Sequence, residues 1–98
     1  MEIKITHADN LTIELTGRLD TVTSTELANA VAKETITEKL VIIDFKNLEY
    51  ISSAGLRVLL ALKKQFTAED RDFEIHNLND VVKEVFNVTG FINILSVK

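Results

Sequence analysis

Lys39-Leu40-Val41-Ile42-Ile43-Asp44-Phe45-Lys46-Asn47-Leu48-Glu49-Tyr50-Ile51-Ser52-Ser53-Ala54-Gly55-Leu56-Arg57-Val58-Leu59-Leu60 is the stretch on which the architecture turns. Leu40-Val41-Ile42-Ile43 is continuously apolar, which predicts a central strand covered on both faces, as in parallel sheets flanked by helices. Asn47 to Ile51 reads as a connector whose large apolar side chains anchor it. A helix is expected from Ser53 to about Thr67. At roughly 100° per residue, Gly55, Val58, Leu59, Leu62 and Phe66 share its inner face, and Leu56 and Leu60 fall to one side, towards Lys63 and Thr67. Gly55 in the first turn allows a close approach to the sheet. The two serines therefore stand where a strand hands over to a helix, the edge at which α/β scaffolds usually mount function.

Working outward from this stretch, Glu2 to Thr6 and Leu11 to Thr16 both alternate polar and apolar residues. They predict two antiparallel strands with a turn at Ala8-Asp9-Asn10. Gly17 is expected to break the second strand, with Arg18-Leu19-Asp20 leading out of the sheet. Thr23-Ser24-Thr25-Glu26 fits a capping box opening a helix from about Ser24 to Glu34, with Leu27, Ala28, Val31 and Ala32 inward. On the other side, Asp72 to His76 alternates as a strand. Asn79-Asp80 start a helix that runs to about Val88, and Gly90 is available as a left-handed residue at its end. Ile92 to Val97 reads as a last strand. The expected fold is a single small α/β domain over residues 1–98, of order ββαβαβαβ. Its mixed sheet has an antiparallel N-terminal hairpin plus parallel strands joined by right-handed crossovers, with about three helices against one or both faces.

The 98 residues suffice for one modest core. Hydrophobic residues make up 46% and charged residues 27%, a normal globular balance. Net charge is −4 with lysines and arginines scattered, which disfavours nucleic acid, because neutralising phosphates supplies most of that affinity. There is no cysteine, hence no disulfide and no thiolate chemistry. No apolar run approaches the ~20 residues of a membrane helix. Met1 to Ile5 lacks the basic and apolar regions of a signal peptide. A cytoplasmic protein without membrane insertion is the expectation.

Enzyme chemistry finds little support in the residues. A serine hydrolase needs a base within reach of its serine, and neither His7 nor His76 is placed beside Ser53 by sequence; there is no G-x-S-x-G elbow. Ser52-Ser53-Ala54-Gly55 has one glycine and is no phosphate-cradling loop. Two distant histidines and scattered acids make no metal site, and no cofactor is expected. Two readings of the serines stay open on local grounds. One is N-capping, because a serine oxygen satisfies an orphan amide. The other is a phosphoacceptor, since a helix N-terminus tolerates phosphate while the added charge repels a docked partner. Beside Ser53, the side chains of Ser52, Leu56, Arg57 and Leu60 are candidates for a partner-binding surface, with Lys64 nearby. Asp20 and Asp44 are candidates for orienting the serine loop by accepting from its amides, or for capping turns.

Several segments together resemble the STAS domain, specifically the bacterial anti-sigma-factor antagonists. Leu15-Thr16-Gly17-Arg18-Leu19-Asp20 is similar to the L-x-G-x-[LI]-D segment of that family. Val41 to Phe45 followed by Tyr50-Ile51-Ser52-Ser53-Ala54-Gly55-Leu56 is similar to its strand-to-helix signature, and Val85 to Phe91 resembles the end of its third helix. The resemblance covers nearly the whole chain and implies a small mixed sheet with helices. It implies a non-enzymatic partner switch in which Ser53 is phosphorylated by an anti-sigma factor that is also a serine kinase. The unphosphorylated antagonist binds that factor and frees the sigma factor, phosphorylation abolishes binding, and a PP2C-type phosphatase restores it. Where the family usually has aspartate before the phosphoacceptor, this chain has Ser52, which makes Ser52 an alternative acceptor. The other role open to the same domain is a non-switching subunit or scaffold in a signalling or lipid-transport assembly.

Overall fold

A computed structural model describes all residues from Met1 to Lys98. Strand β1 (Glu2–His7) and strand β2 (Leu11–Leu19) form the hairpin, and helix α1 (Thr21–Ala32) follows. Then come β3 (Leu40–Ile51), α2 (Ser53–Ala68), β4 (Asp72–His76), α3 (Asp80–Thr89), a 3-10 turn (Phe91–Asn93) and β5 (Ser96–Val97). The sheet order is β1-β2-β3-β4-β5, antiparallel between β1 and β2 and parallel elsewhere, with β3 in the centre. The expected ββαβαβαβ order and mixed sheet are what the structure contains. No helix is long and apolar enough to cross a membrane.

Each crossover advances one strand in the same direction, so right-handed connections place all three helices on the same face. Burial follows that geometry. Leu11, Ile13 and Leu15 on β2 and Val41, Ile43 and Phe45 on β3 are buried beneath the helices, while Thr12, Glu14, Leu40, Ile42 and Asp44 are half-exposed on the other face. The expectation of a strand covered on both faces is thus corrected: the apolar run at Leu40 to Ile43 sits in a one-sided sheet. Twenty buried apolar residues form the core. Within it the rings of Phe45 and Phe86 meet edge to face at 6.3 Å, which clamps α3 onto β3.

Four boundaries differ from the sequence expectation. Gly17 does not end β2. Its φ of 110°, which a residue with a side chain rarely adopts, absorbs an irregularity, and the strand runs on to Leu19. Pairing of β2 with β3 slips between Glu14 and Thr16 and again between Gly17 and Arg18. Those slips carry the expected connector Asn47–Ile51 into the ladder, so β3 is one strand of 12 residues. Helix α1 starts three residues before Ser24, because Asp20 rather than Thr23 is its N-cap. Asp20 accepts from the amides of Val22 and Thr23, and the Thr23 hydroxyl accepts from the Asp20 amide. Of the expected last strand Ile92–Val97, Ile92 and Asn93 belong to the 3-10 turn, Ile94 and Leu95 to the bend after it, and pairing is limited to Ser96 and Val97. Helix α3 behaves as expected, capped by Asn79 and ended by Gly90 at φ 80°.

Candidate functional site

Leu19 and Ile51 are paired at the ends of β2 and β3, and both side chains are buried. Each strand then turns directly into a helix, so the N-termini of α1 and α2 lie side by side at one end of the sheet. The Ser52 amide donates to the Leu19 carbonyl at 2.9 Å, extending the ladder one step into the turn. Ser52 is the N-cap of α2, with φ −97° and ψ 176°. Its hydroxyl oxygen accepts from the Gly55 amide at 3.4 Å, and its carbonyl accepts from the Leu56 amide at 3.0 Å.

Ser53 is the first helical residue, and its environment is different. It is exposed, while Ser52 is half-buried. Its hydroxyl makes no hydrogen bond to the rest of the chain, whereas that of Ser52 is engaged as the cap. Gly55 lets the helix sit this close: a Cβ there would lie 2.6 Å from Ile51 Cγ1 and 2.8 Å from the Leu19 carbonyl oxygen.

The remaining candidate residues separate into those at this turn and those away from it. Arg57 lies one turn along α2 from Ser53, exposed and without a hydrogen bond or ion pair. Leu60 is half-buried. Leu56, expected as part of a docking patch, is only 5% exposed and belongs to the core, and α2 packs against α1 as well as resting on the sheet. Asp20 caps α1, and the amide and hydroxyl of Thr23 hold its carboxyl below the usual carboxylate range. It orients the neighbouring helix rather than the serine turn. Asp44 is mid-strand in β3, where its carboxylate accepts from the Lys46 amide at 2.9 Å and from the Asn77 side-chain amide at 3.0 Å. It therefore steadies the β4–α3 loop, in which Asn77 has a φ of 64°, and not the serine loop.

One feature of this end was not visible from sequence. The Arg18 guanidinium stacks on the Tyr50 ring, 4.5 Å from its centre. The two residues are cross-strand partners, and the pairing depends on the β2–β3 slips that local patterns do not encode.

Neither histidine approaches Ser53. His7 ends β1 opposite Leu11, at the other end of β2 from Leu19. There its Nε2 meets Glu34 at 2.8 Å and its Nδ1 meets Glu38 at 2.7 Å. His76 pairs with Asp44, seven residues of strand before Ile51, and is bonded to Glu74 at 2.9 Å. At strand rise that is about 20 Å from the serine turn, so Ser53 has no histidine base. No three His, Asp or Glu side chains converge as metal ligands.

A family model described as STAS domain matches residues 2–98. The anti-sigma-B factor antagonist of Listeria monocytogenes is 26% identical over 99 residues, covering 100% of this chain and 87% of that protein. A Bordetella bronchiseptica protein, BtrV, named as a candidate anti-sigma factor antagonist, is 42% identical over 60 residues, which are 61% of this chain and 52% of its own length. Among solved structures, a candidate anti-sigma factor antagonist from Thermotoga maritima superposes with a TM-score of 0.85 at 18% identity, covering 98% of this chain and 83% of that one.

Proposed function

The chain belongs to the STAS domain family, and from that membership we propose that it is an anti-sigma-factor antagonist switched by phosphorylation of Ser53. In its bare form it binds a serine-kinase anti-sigma factor, which releases the sigma factor. The phosphorylated form does not bind, and a PP2C-type phosphatase returns it to the bare state. The naming of the Listeria and Bordetella relatives supports the general role.

The observation that carries the choice of residue is the contrast between the two serines. Ser53 presents a free hydroxyl to solvent, which a kinase can reach, while Ser52 is half-buried with its oxygen committed to the Gly55 amide. A phosphate on Ser53 adds up to about two negative charges at a helix N-terminus, where they are electrostatically tolerated. The fold survives, and the surface seen by a partner changes sign. A phosphate on Ser52 would have to displace the cap. The surface beside the switch comprises Ser52, Arg57 and Leu60, without Leu56.

The test is incubation with the serine-kinase anti-sigma factor of the same cell and ATP, followed by peptide mass mapping and a binding assay. The expected result is one phosphate at Ser53, none on Ser53→Ala, and weakened binding by Ser53→Asp. No incorporation, together with unchanged binding by Ser53→Asp, overturns the proposal in favour of a scaffold in which the serine turn is only a cap.

A further inference from the structure

We infer that Arg57 is the built-in receptor for a phosphate on Ser53, so that modification both adds negative charge and takes up the free guanidinium beside it. The inference rests on the reading of Ser53 as phosphoacceptor. Ser53 and Arg57 stand four residues apart on α2, and both are exposed. Side chains at this spacing are neighbours on a helix surface, and long ones lean back over the preceding turn, so the Arg57 guanidinium is within reach of a phosphate on Ser53. Leu56, the neighbour on the same turn, is buried and does not compete for that space.

The other two arginines are already committed. Arg18 is stacked on Tyr50. Arg71 donates to the carbonyls of Ile36 and Glu38 and to the Glu69 carboxylate at 3.2 Å. Arg57 alone among the three has no partner. Helix α2 contains no aspartate or glutamate, so no carboxylate of its own helix can serve Arg57. Lys63 and Lys64 stand ten and eleven residues beyond Ser53 on the same helix, so their backbone is about 15 Å away along the axis, more than two turns. A phosphate supplies three acceptor oxygens on a short tether, a match for the planar fork of guanidinium donors. A single carboxylate at position 53 carries less charge on a shorter arm. Ser53→Asp is therefore expected to reproduce the repulsion but only part of the clamp.

The inference is tested on the full chain with phosphoserine installed at position 53 by genetic encoding or semisynthesis, which needs no kinase. Phosphorus NMR titration of this protein is compared with its Arg57→Gln and Arg57→Lys variants. The apparent second pKa of the phosphate should be lower with Arg57 than with glutamine by about 0.3 unit or more, the equivalent of one surface i,i+4 pair. Lysine should fall between them. The Arg57 Nε–H resonance should shift on phosphorylation of the unsubstituted chain. Superimposable titrations with arginine and glutamine, or an unmoved Arg57 resonance, overturn the inference. Thermal unfolding of the unmodified variants checks that the exposed substitution leaves the fold intact. If the clamp appears but no kinase modifies Ser53, the pairing stands and its regulatory role is withdrawn. If a kinase modifies Ser53 and the titrations coincide, the switch stands without the clamp.

Discussion

The Ser52 amide donates to the Leu19 carbonyl across the junction between β3 and α2, so the start of the helix is the last rung of the β2–β3 ladder. Any strain placed on that junction is felt by both strands and by the presented serine.

Gly55 is where that strain is easiest to apply. The Cβ of Gly55→Ala would fall 2.8 Å from the same Leu19 oxygen and 2.6 Å from Ile51 Cγ1. Since backbone on one side cannot yield as a side-chain tip can, α2 must shift outward. The expected cost is about 1–3 kcal/mol, typical of overpacking, read as a lower urea midpoint. A midpoint unchanged or raised would show that the helix is not held against the strand ends.

The two serines should respond unequally to deletion. Ser52→Ala removes the cap oxygen from the Gly55 amide and is expected to cost about 1 kcal/mol, whereas Ser52→Asp, an equally good cap, should be close to neutral. Ser53→Ala removes a hydroxyl with no partner and should stay within about 0.5 kcal/mol of the parent. Chemical denaturation of the three variants measures this directly. A larger loss at Ser53 than at Ser52 would reverse the structural assignment of cap and free hydroxyl.

Leu56 and Leu60 should also part company. Leu56 is 5% exposed within the core, and Leu56→Ala is expected to destabilise by roughly 2–5 kcal/mol through lost burial and a residual cavity. Leu60 is half-buried, and Leu60→Ala should cost distinctly less. Equal and small losses at both positions would return Leu56 to the surface.

The far end of the sheet should be pH-sensitive. Hydrogen bonds to Glu34 and then Glu38 raise the His7 pKa above its ordinary 6.5. A raised folded-state pKa means that the protonated form favours folding. This contribution is complete below about 6.5 and is lost as pH rises through the raised value. Glu38 has the opposite sign. Its own amide first, then His7 and the Thr37 amide, lower its pKa from 4.5, so its contribution is present above that value and is lost as pH falls through the lowered one. Thermal unfolding should therefore fall from mildly acidic to mildly alkaline pH, and His7→Gln should flatten that slope. An identical slope in the variant would remove His7 as its source.

Local pattern was sufficient wherever one residue type had one reading. The period-2 alternation of Glu2 to Thr6 and Leu11 to Thr16 placed the hairpin, Ser53 opened its helix, and Asn79 with Gly90 bounded the third. It failed where a residue satisfies more than one rule. Thr23 reads as the N-cap of a box closed by Glu26, and Asp20 as a loop-orienting or turn-capping residue; Asp20 is the cap, and Thr23 closes the box three residues on. Asp44 reads as a loop-orienting or turn-capping residue and Asn47 to Ile51 as a connector, yet the β2–β3 register shifts keep all of them in the sheet.

The sequence by itself determined the order of elements and the place of the serine turn, because helix and strand periods, caps and helix-ending residues act over a few neighbouring positions. Only the tertiary structure decided which face of the sheet is covered, that Leu56 is buried, and that Asp44 serves another loop. These depend on crossover direction and cross-strand register, which join residues far apart in the chain. The same is true of the serines. Their position was legible locally. That Ser52 is tied to the Leu19 carbonyl and to its own helix while Ser53 is left free follows from how β2 and β3 end side by side.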